Sequence, residues 1–205
     1  MTPSRISRPD LRSGPISPRK LSWMPATNRA GRCHMVRILT RFIDGVNQIT
    51  GFASALFIPA LVLITIIDVA LRYLFHAGSV AFQELEWHLY AANFVMAAGW
   101  TMLKDGHVRV DILYSVVSPR KKAAIDFFGA LVFCIPFCLM VLWSSWPFLS
   151  NAWIIREGSP DPGGLPARYI LKAMIPVGFG LILMQSVSQA LKSFLVLSGG
   201  EERTR

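Results

Sequence analysis

The sequence predicts an all-α membrane protein with four transmembrane helices, and three observations support this fold class. Of the 205 residues, 53% are hydrophobic and 16% are charged, whereas a soluble domain has about 25% charged residues. The apolar residues are gathered into blocks long enough to cross a bilayer. Basic residues cluster beside these blocks, nine of the 21 in the first 41 positions and five from Lys104 to Lys122, as in cytoplasmic segments. We therefore expect lipid to surround most of the chain.

Residues 1–40 are predicted to form a disordered, basic, cytoplasmic tail. Five prolines interrupt the first 25 residues, and Asp10 is the single acid before residue 41. No apolar core follows the basic residues before Val46, so the segment does not resemble a secretory signal. A second interpretation is that translation begins at Met24 or Met35, which would make the extension an artefact of the assigned start.

The membrane domain is predicted to span residues 41–198, and its first helix covers the 23 uncharged residues from Gly45 to Ile67. At about 1.5 Å per residue this length crosses a hydrocarbon layer of about 30 Å with some tilt. Pro59 lies inside the block and is expected to kink the helix, because proline lacks the amide hydrogen that the helix needs.

Charged residues follow this first helix and precede the second. Asp68 and Arg72 are four positions apart, so they share one helix face and can pair. One interpretation is an ion pair at the membrane interface. The other is a buried polar anchor to Glu84 or Glu86, which open the second helix. These two glutamates are themselves either simple interfacial charges or docking contacts for a periplasmic or membrane partner.

The second helix is predicted from the uncharged run between Trp87 and Leu103. Its small residues include the pairs Ala91–Ala98 and Ala92–Gly99, each at heptad spacing. Small side chains on one face allow another membrane helix to approach closely. This helix is therefore predicted to make close helix–helix contacts.

The segment after the second helix begins with His107, Arg109 and Asp111. One interpretation is structural: these polar residues follow the end of the helix and fix a short segment that lies in the membrane interface. The alternative is a direct role in handling substrate. The imperfect alternation of apolar and polar residues from Val108 to Val117 favours an interfacial segment over another span.

The third and fourth helices complete the bundle. The third block, Phe127 to Ile155, has 29 uncharged residues, so it should tilt, bend at Pro136 or Pro147, or protrude from the lipid. A Pro- and Gly-rich turn at 158–166 leads to the fourth helix, predicted over Ala173 to Leu191, and residues 199–205 form a polar C-terminal tail. Lysine and arginine counts place both chain termini in the cytoplasm and the turn at 158–166 in the periplasm.

Several functional classes lack the residues that they need. No predicted helix carries a charge at its centre, where ion and substrate pathways usually have one, so a stand-alone four-helix transporter is disfavoured. A haem- or quinone-associated anchor of an oxidoreductase is the enzyme-linked alternative, but His88 has no second inward histidine to complete a bis-histidine haem. Three cysteines provide no zinc framework, and we expect no cofactor, no metal, no catalytic residue and no nucleic-acid partner.

The second helix and its flanks resemble the small permease (DctQ-type) subunit of tripartite ATP-independent periplasmic (TRAP) transporters. The resemblance rests on Glu84 and Glu86 at the start of the helix, on its small residues, and on Gly-His-Val-Arg-Val-Asp at 106–111 after its end. The resemblance extends from about Thr40 to Leu197. It implies an inner-membrane scaffold subunit that acts with a large permease and a periplasmic binding protein to import an organic acid, typically a carboxylate, with sodium. The turn at 158–166, with Lys172 and Ile175-Pro176, is similar to the branch associated with mannitol, chloroaromatic compounds or 2-oxo acids. On this interpretation, the residues assigned to assembly are Arg72, Glu84, Glu86, Ala91, Ala98, Gly99, His107, Arg109 and Asp111.

Overall fold

The structure is a computed structural model that describes residues 26–104, 106 and 117–198, with side chains from His34 onward. Over these residues it is a bundle of helices. The elements are α1 (Ala26–Ala55), α2 (Phe57–Leu74), α3 (Val80–Leu103), α4 (Pro119–Phe128), a π-helical segment (Gly129–Cys134), α5 (Ile135–Ile154) and α6 (Tyr169–Leu197). The predicted all-α class is confirmed for this part of the chain.

Helices α1 and α2 form one long rod that is interrupted at Leu56. The Leu56 amide donates to the Ala53 carbonyl at 3.2 Å, a tighter turn than that of an α-helix. Pro59 lies three residues further on. A proline ring clashes with the carbonyl four residues earlier, here that of Ala55, and its nitrogen has no hydrogen to donate. The distortion expected at Pro59 is therefore present as a break between two helices.

The third apolar block is also irregular, since a π-helical turn separates α4 from α5. Pro136 stands in the first turn of α5, immediately after the π-helical segment. A proline without an amide hydrogen fits this position, where the hydrogen-bond ladder already changes register. Pro147 lies inside α5, which continues to Ile154 without a break.

Helix α6 is the element against which most of the others pack. It contacts α1, α3, α4, α5 and the π-helical segment, whereas α2 packs on α3 and on the end of α1. Gly178 makes the approach of α3 possible, because a Cβ there would lie 2.0 Å from Cγ1 of Val95. Gly51 likewise allows α1 and α3 to approach each other, because a Cβ added there would lie 2.2 Å from Cγ of Trp100. Small residues thus set the interhelical distances.

Three stretches of the described residues are long and apolar enough to cross a membrane, namely His34–Leu74, Pro119–Ile154 and Tyr169–Leu197. Helix α3 has 24 residues, or about 36 Å, but it is less apolar than these three stretches. The four-span count and the cytoplasmic position of both termini therefore stay predictions.

Helix α1 starts before residue 40, where the sequence placed the boundary of the membrane domain. The helix begins at Ala26, directly after Pro25, the last proline before Pro59, and Thr40 is already buried. The division of the chain into a tail at 1–40, a membrane domain at 41–198 and a tail at 199–205 stays a prediction. Residues 1–25 lie outside the described residues, as do residues 199–205 and most of the interfacial segment.

Candidate assembly site

Glu84, in the first turns of α3, holds the turn between α5 and α6. The side chain is buried, with a relative exposure of 5%. It accepts a hydrogen bond from the Ser159 hydroxyl and one from the Leu165 amide, the latter at 2.6 Å. Glu84 precedes the uncharged run that begins at Trp87, so it lies outside the predicted span. The Ser159 hydroxyl, followed by the Leu165 amide, holds the pKa of the Glu84 carboxyl below its ordinary value, against the opposing effect of burial.

The turn that Glu84 holds is internally ordered as well. The Ser159 amide donates to the Leu165 carbonyl at 3.1 Å, and the Gly164 amide donates to the Asp161 carbonyl at 3.0 Å. Gly163 has a φ of 80°, which side chains rarely adopt. A Cβ on Gly164 would lie 2.9 Å from Oε2 of Glu84, so a larger residue there would displace the carboxylate. The result is a rigid turn whose apex, Pro160 to Gly163, is exposed.

Asp68 and Arg72 form the predicted ion pair within α2. The Asp68 side chain is 3% exposed and the Arg72 side chain 44% exposed, so the pair lies at the edge of the bundle with its acid inside. Glu84 does not join this pair, because both of its oxygens are bound to the turn at 158–166. Glu86 is half-buried, and its Oε1 accepts no hydrogen bond from the described residues.

The small-residue face of α3 is partly used inside this chain. A Cβ on Gly99 would lie 2.2 Å from Oδ1 of Asn47 and 3.1 Å from Cβ of Leu181, so Gly99 contacts both α1 and α6. Ala98 is half-buried beside it, and Ala91 lines a groove between α3, α5 and α6. Gly99 therefore sets a contact within the subunit, whereas Ala91 and Ala98 keep some accessible surface.

A polar cluster joins α1 to α6 at the opposite end of the bundle, and sequence reasoning missed it. Asp44 accepts hydrogen bonds from Gln185 at 3.2 Å and from Ser188 at 3.0 Å, and it pairs with Lys192 at 2.5 Å. Asn47 donates to the Gln185 side-chain oxygen at 3.0 Å. The signal was present in the sequence, because positions 185, 188 and 192 recur at helical spacing on one face.

The predicted assembly residues His107, Arg109 and Asp111 lie outside the described residues. His88 is half-buried, and its Nδ1 lies 2.5 Å from the Glu84 carbonyl oxygen of its own helix. Within the described ranges, no three His, Cys, Asp or Glu side chains are placed to hold a metal ion. What the described polar residues do is fix helices and one turn relative to each other.

Two comparisons with known proteins bear on this arrangement. The family model described as "Tripartite ATP-independent periplasmic transporters, DctQ component" matches residues 61–195. The chain is also 25% identical, over 162 residues, to a C4-dicarboxylate TRAP transporter small permease protein of Vibrio cholerae serotype O1, which covers 69% of this chain and 68% of that protein. No solved structure matches the chain.

Proposed function

Because the chain belongs to the family of DctQ components of tripartite ATP-independent periplasmic transporters, we propose that it is the small membrane scaffold subunit of a transporter that imports an organic acid with sodium. The large permease of such a transporter binds the solute and the ions, and a periplasmic binding protein delivers the solute. This chain braces the large permease in the inner membrane. It belongs to a transport complex and is not an enzyme.

The observation that carries the proposal is the way in which the charged groups of the described helices are used. Ion pairs among the described residues include Asp44–Lys192, Asp68–Arg72 and Glu157–Lys172. These charges lie beside the uncharged runs of the helices and not within them, and in each pair both partners belong to this chain. Solute and ion pathways instead need polar groups that are available at mid-bilayer depth. Paired charges outside the uncharged runs fit a subunit that fixes helices in place.

The turn at 158–166 is the surface that we propose for contact with a soluble partner. Glu84 is too buried to bind a partner itself, but it and Ser159 keep the turn in one conformation. A preordered turn loses little conformational entropy on binding, which favours recognition. Glu84 and Glu86 are therefore assigned to assembly in different ways, Glu84 by holding the turn and Glu86 through its half-buried carboxylate.

Transport by reconstituted proteins tests the proposal. The chain alone in proteoliposomes should take up none of a panel of radiolabelled C4-dicarboxylates and 2-oxo acids under a sodium gradient. Adding the large permease and the binding protein should produce sodium-dependent uptake of at least one of them. Uptake by the chain alone at a rate comparable to that of the full set would contradict the scaffold role.

Co-purification with the large permease tests the assembly surface separately. Ala98→Leu should weaken co-purification, because a larger side chain blocks close approach of a partner helix. Ala77→Leu, in the exposed connection between α2 and α3, makes the same change and should have no effect. Gly99→Leu is the less informative variant, because Asn47 already fills that contact. Equal recovery of the large permease with Ala98→Leu and Ala77→Leu would remove this face from the interface.

A further inference from the structure

An apolar groove of about 280 Å³ opens between α3, α5 and α6. Its walls are Ala91 and Val95 of α3, Phe148 of α5, and Leu171, Met174 and Ile175 of α6. These side chains lie in the apolar parts of the helices and present almost no hydrogen-bonding group. The body of the groove therefore suits a hydrocarbon ligand.

One end of the groove is positively charged. The Arg168 guanidinium carbon lies 5.4 Å from the centre of the Trp87 ring, and the Lys172 ammonium lies 4.1 Å from the centre of the Phe148 ring. Lys172 is neutralised by its ion pair with Glu157. The charge of the nearby Glu84 carboxylate attracts the Arg168 guanidinium, but Glu84 accepts its hydrogen bonds from Ser159 and Leu165. Among the described residues Arg168 forms no ion pair at contact distance, so its N–H groups remain available as donors to an anion at this rim.

The rim lies at the end of the uncharged runs that begin at Trp87 and Ala173, where we expect lipid headgroups. It adjoins the exposed turn at 158–166, and the exposed Trp146 and Trp153 lie on the same half of α5. Tryptophans mark the boundary between hydrocarbon and headgroups in membrane proteins. From this rim the groove continues between apolar side chains such as Ala91, Val95 and Met174. An acyl chain of a lipid whose headgroup lies at the rim can therefore enter it.

We propose that this groove is a binding site for one anionic phospholipid. An acyl chain of the lipid lies along Ala91, Val95 and Met174, and the phosphate accepts hydrogen bonds from the Arg168 guanidinium. A guanidinium presents several fixed donors that match phosphate oxygens, and its stacking on Trp87 keeps it at the rim. The inference requires the chain to lie in a membrane and does not require the transport role.

Lipid retention by the full chain tests the site. The chain is purified from nanodiscs containing equal amounts of phosphatidylglycerol and phosphatidylcholine, and the bound lipid is counted by native mass spectrometry. We expect one phosphatidylglycerol per chain. Arg168→Gln should lower its affinity by about ten-fold or more, the expected effect of losing hydrogen bonds between charged groups. Arg156→Gln removes the same charge from an exposed residue that does not line the groove, and it should leave retention unchanged.

A second variant tests the hydrocarbon half of the site at constant charge. Ala91→Phe fills the groove and should abolish retention, and Ala91→Leu should reduce it if the phenylalanine variant does not fold. Equal retention of both lipids, equal loss in the two arginine variants, or full retention in a folded Ala91→Phe protein would each overturn the proposal. Displacement of the lipid by inorganic phosphate would also overturn it. So would loss of the bound lipid when the large permease is added, because the permease would then be the occupant of the groove.

Discussion

Replacing Gly178 with alanine tests the packing of α3 on α6. The added Cβ would lie 2.0 Å from Cγ1 of Val95 and 2.7 Å from the Val95 carbonyl oxygen, well inside the contact distance of about 3.5–4.0 Å between carbon atoms. The valine side chain can rotate away, but the carbonyl belongs to the α3 backbone, so the two helices must separate. Overpacking of this kind costs about 1–3 kcal/mol of the free energy of unfolding.

Gly180→Ala is the matched control, because a Cβ there meets nothing within 4 Å in the same helix. That variant should be neutral or slightly more stable, since alanine is the better helix former. The free energies of unfolding can be measured in mixed micelles by titration with a denaturing detergent, followed by tryptophan fluorescence. Adding Val95→Ala should restore part of the loss, because it removes the side-chain clash and leaves the carbonyl in place. Equal stability of the two glycine variants would refute the close approach of α3 and α6.

Two further predictions concern the ends of the bundle. Gln185→Leu should lower the free energy of unfolding by about 1–3 kcal/mol, because it leaves Asn47 and Asp44 with one hydrogen bond fewer each. Gln48→Leu, at an exposed glutamine on α1, is the control and should change the free energy of unfolding little. Equal effects of the two substitutions in the same detergent titration would contradict the buried cluster. The lowered pKa of Glu84 means that its carboxylate stabilises the turn fully above the ordinary glutamic acid pKa and that this contribution is lost as the pH falls through the lower folded-state value. A spin label at Asp161→Cys should therefore become more mobile in strong acid, whereas in a Glu84→Gln background its mobility should be high and independent of pH.

The features that the sequence predicted are those that depend on neighbouring residues. Runs without charge predict apolar helices, and Pro59 and Pro136 predict distortion of the helix around them, because each effect acts within one or two turns. The family resemblance rested on short motifs and is confirmed by the match over residues 61–195. Asp68 and Arg72 pair as their spacing of four residues indicated.

The features that the sequence did not predict depend on partners that are distant in the chain. Glu84 binds Ser159 and Leu165, and Asp44 binds Lys192. In each case either partner could have bonded water or lipid headgroups, and the choice depends on how helices dock. Gly99 was predicted to allow close approach, but the neighbour that it admits, Asn47 of α1, could not be read from α3 alone.

The position of α6 at the centre of the fold has a consequence for biogenesis. It is the last of the described helices to leave the ribosome, yet α1, α3, α4 and α5 all pack against it. Until it is inserted, the earlier helices are held together only by contacts such as those of α3 with α1 and α2, in keeping with two-stage membrane folding. A nascent chain stalled before residue 169 would therefore lack its organising contacts, and membrane proteases should remove it rapidly.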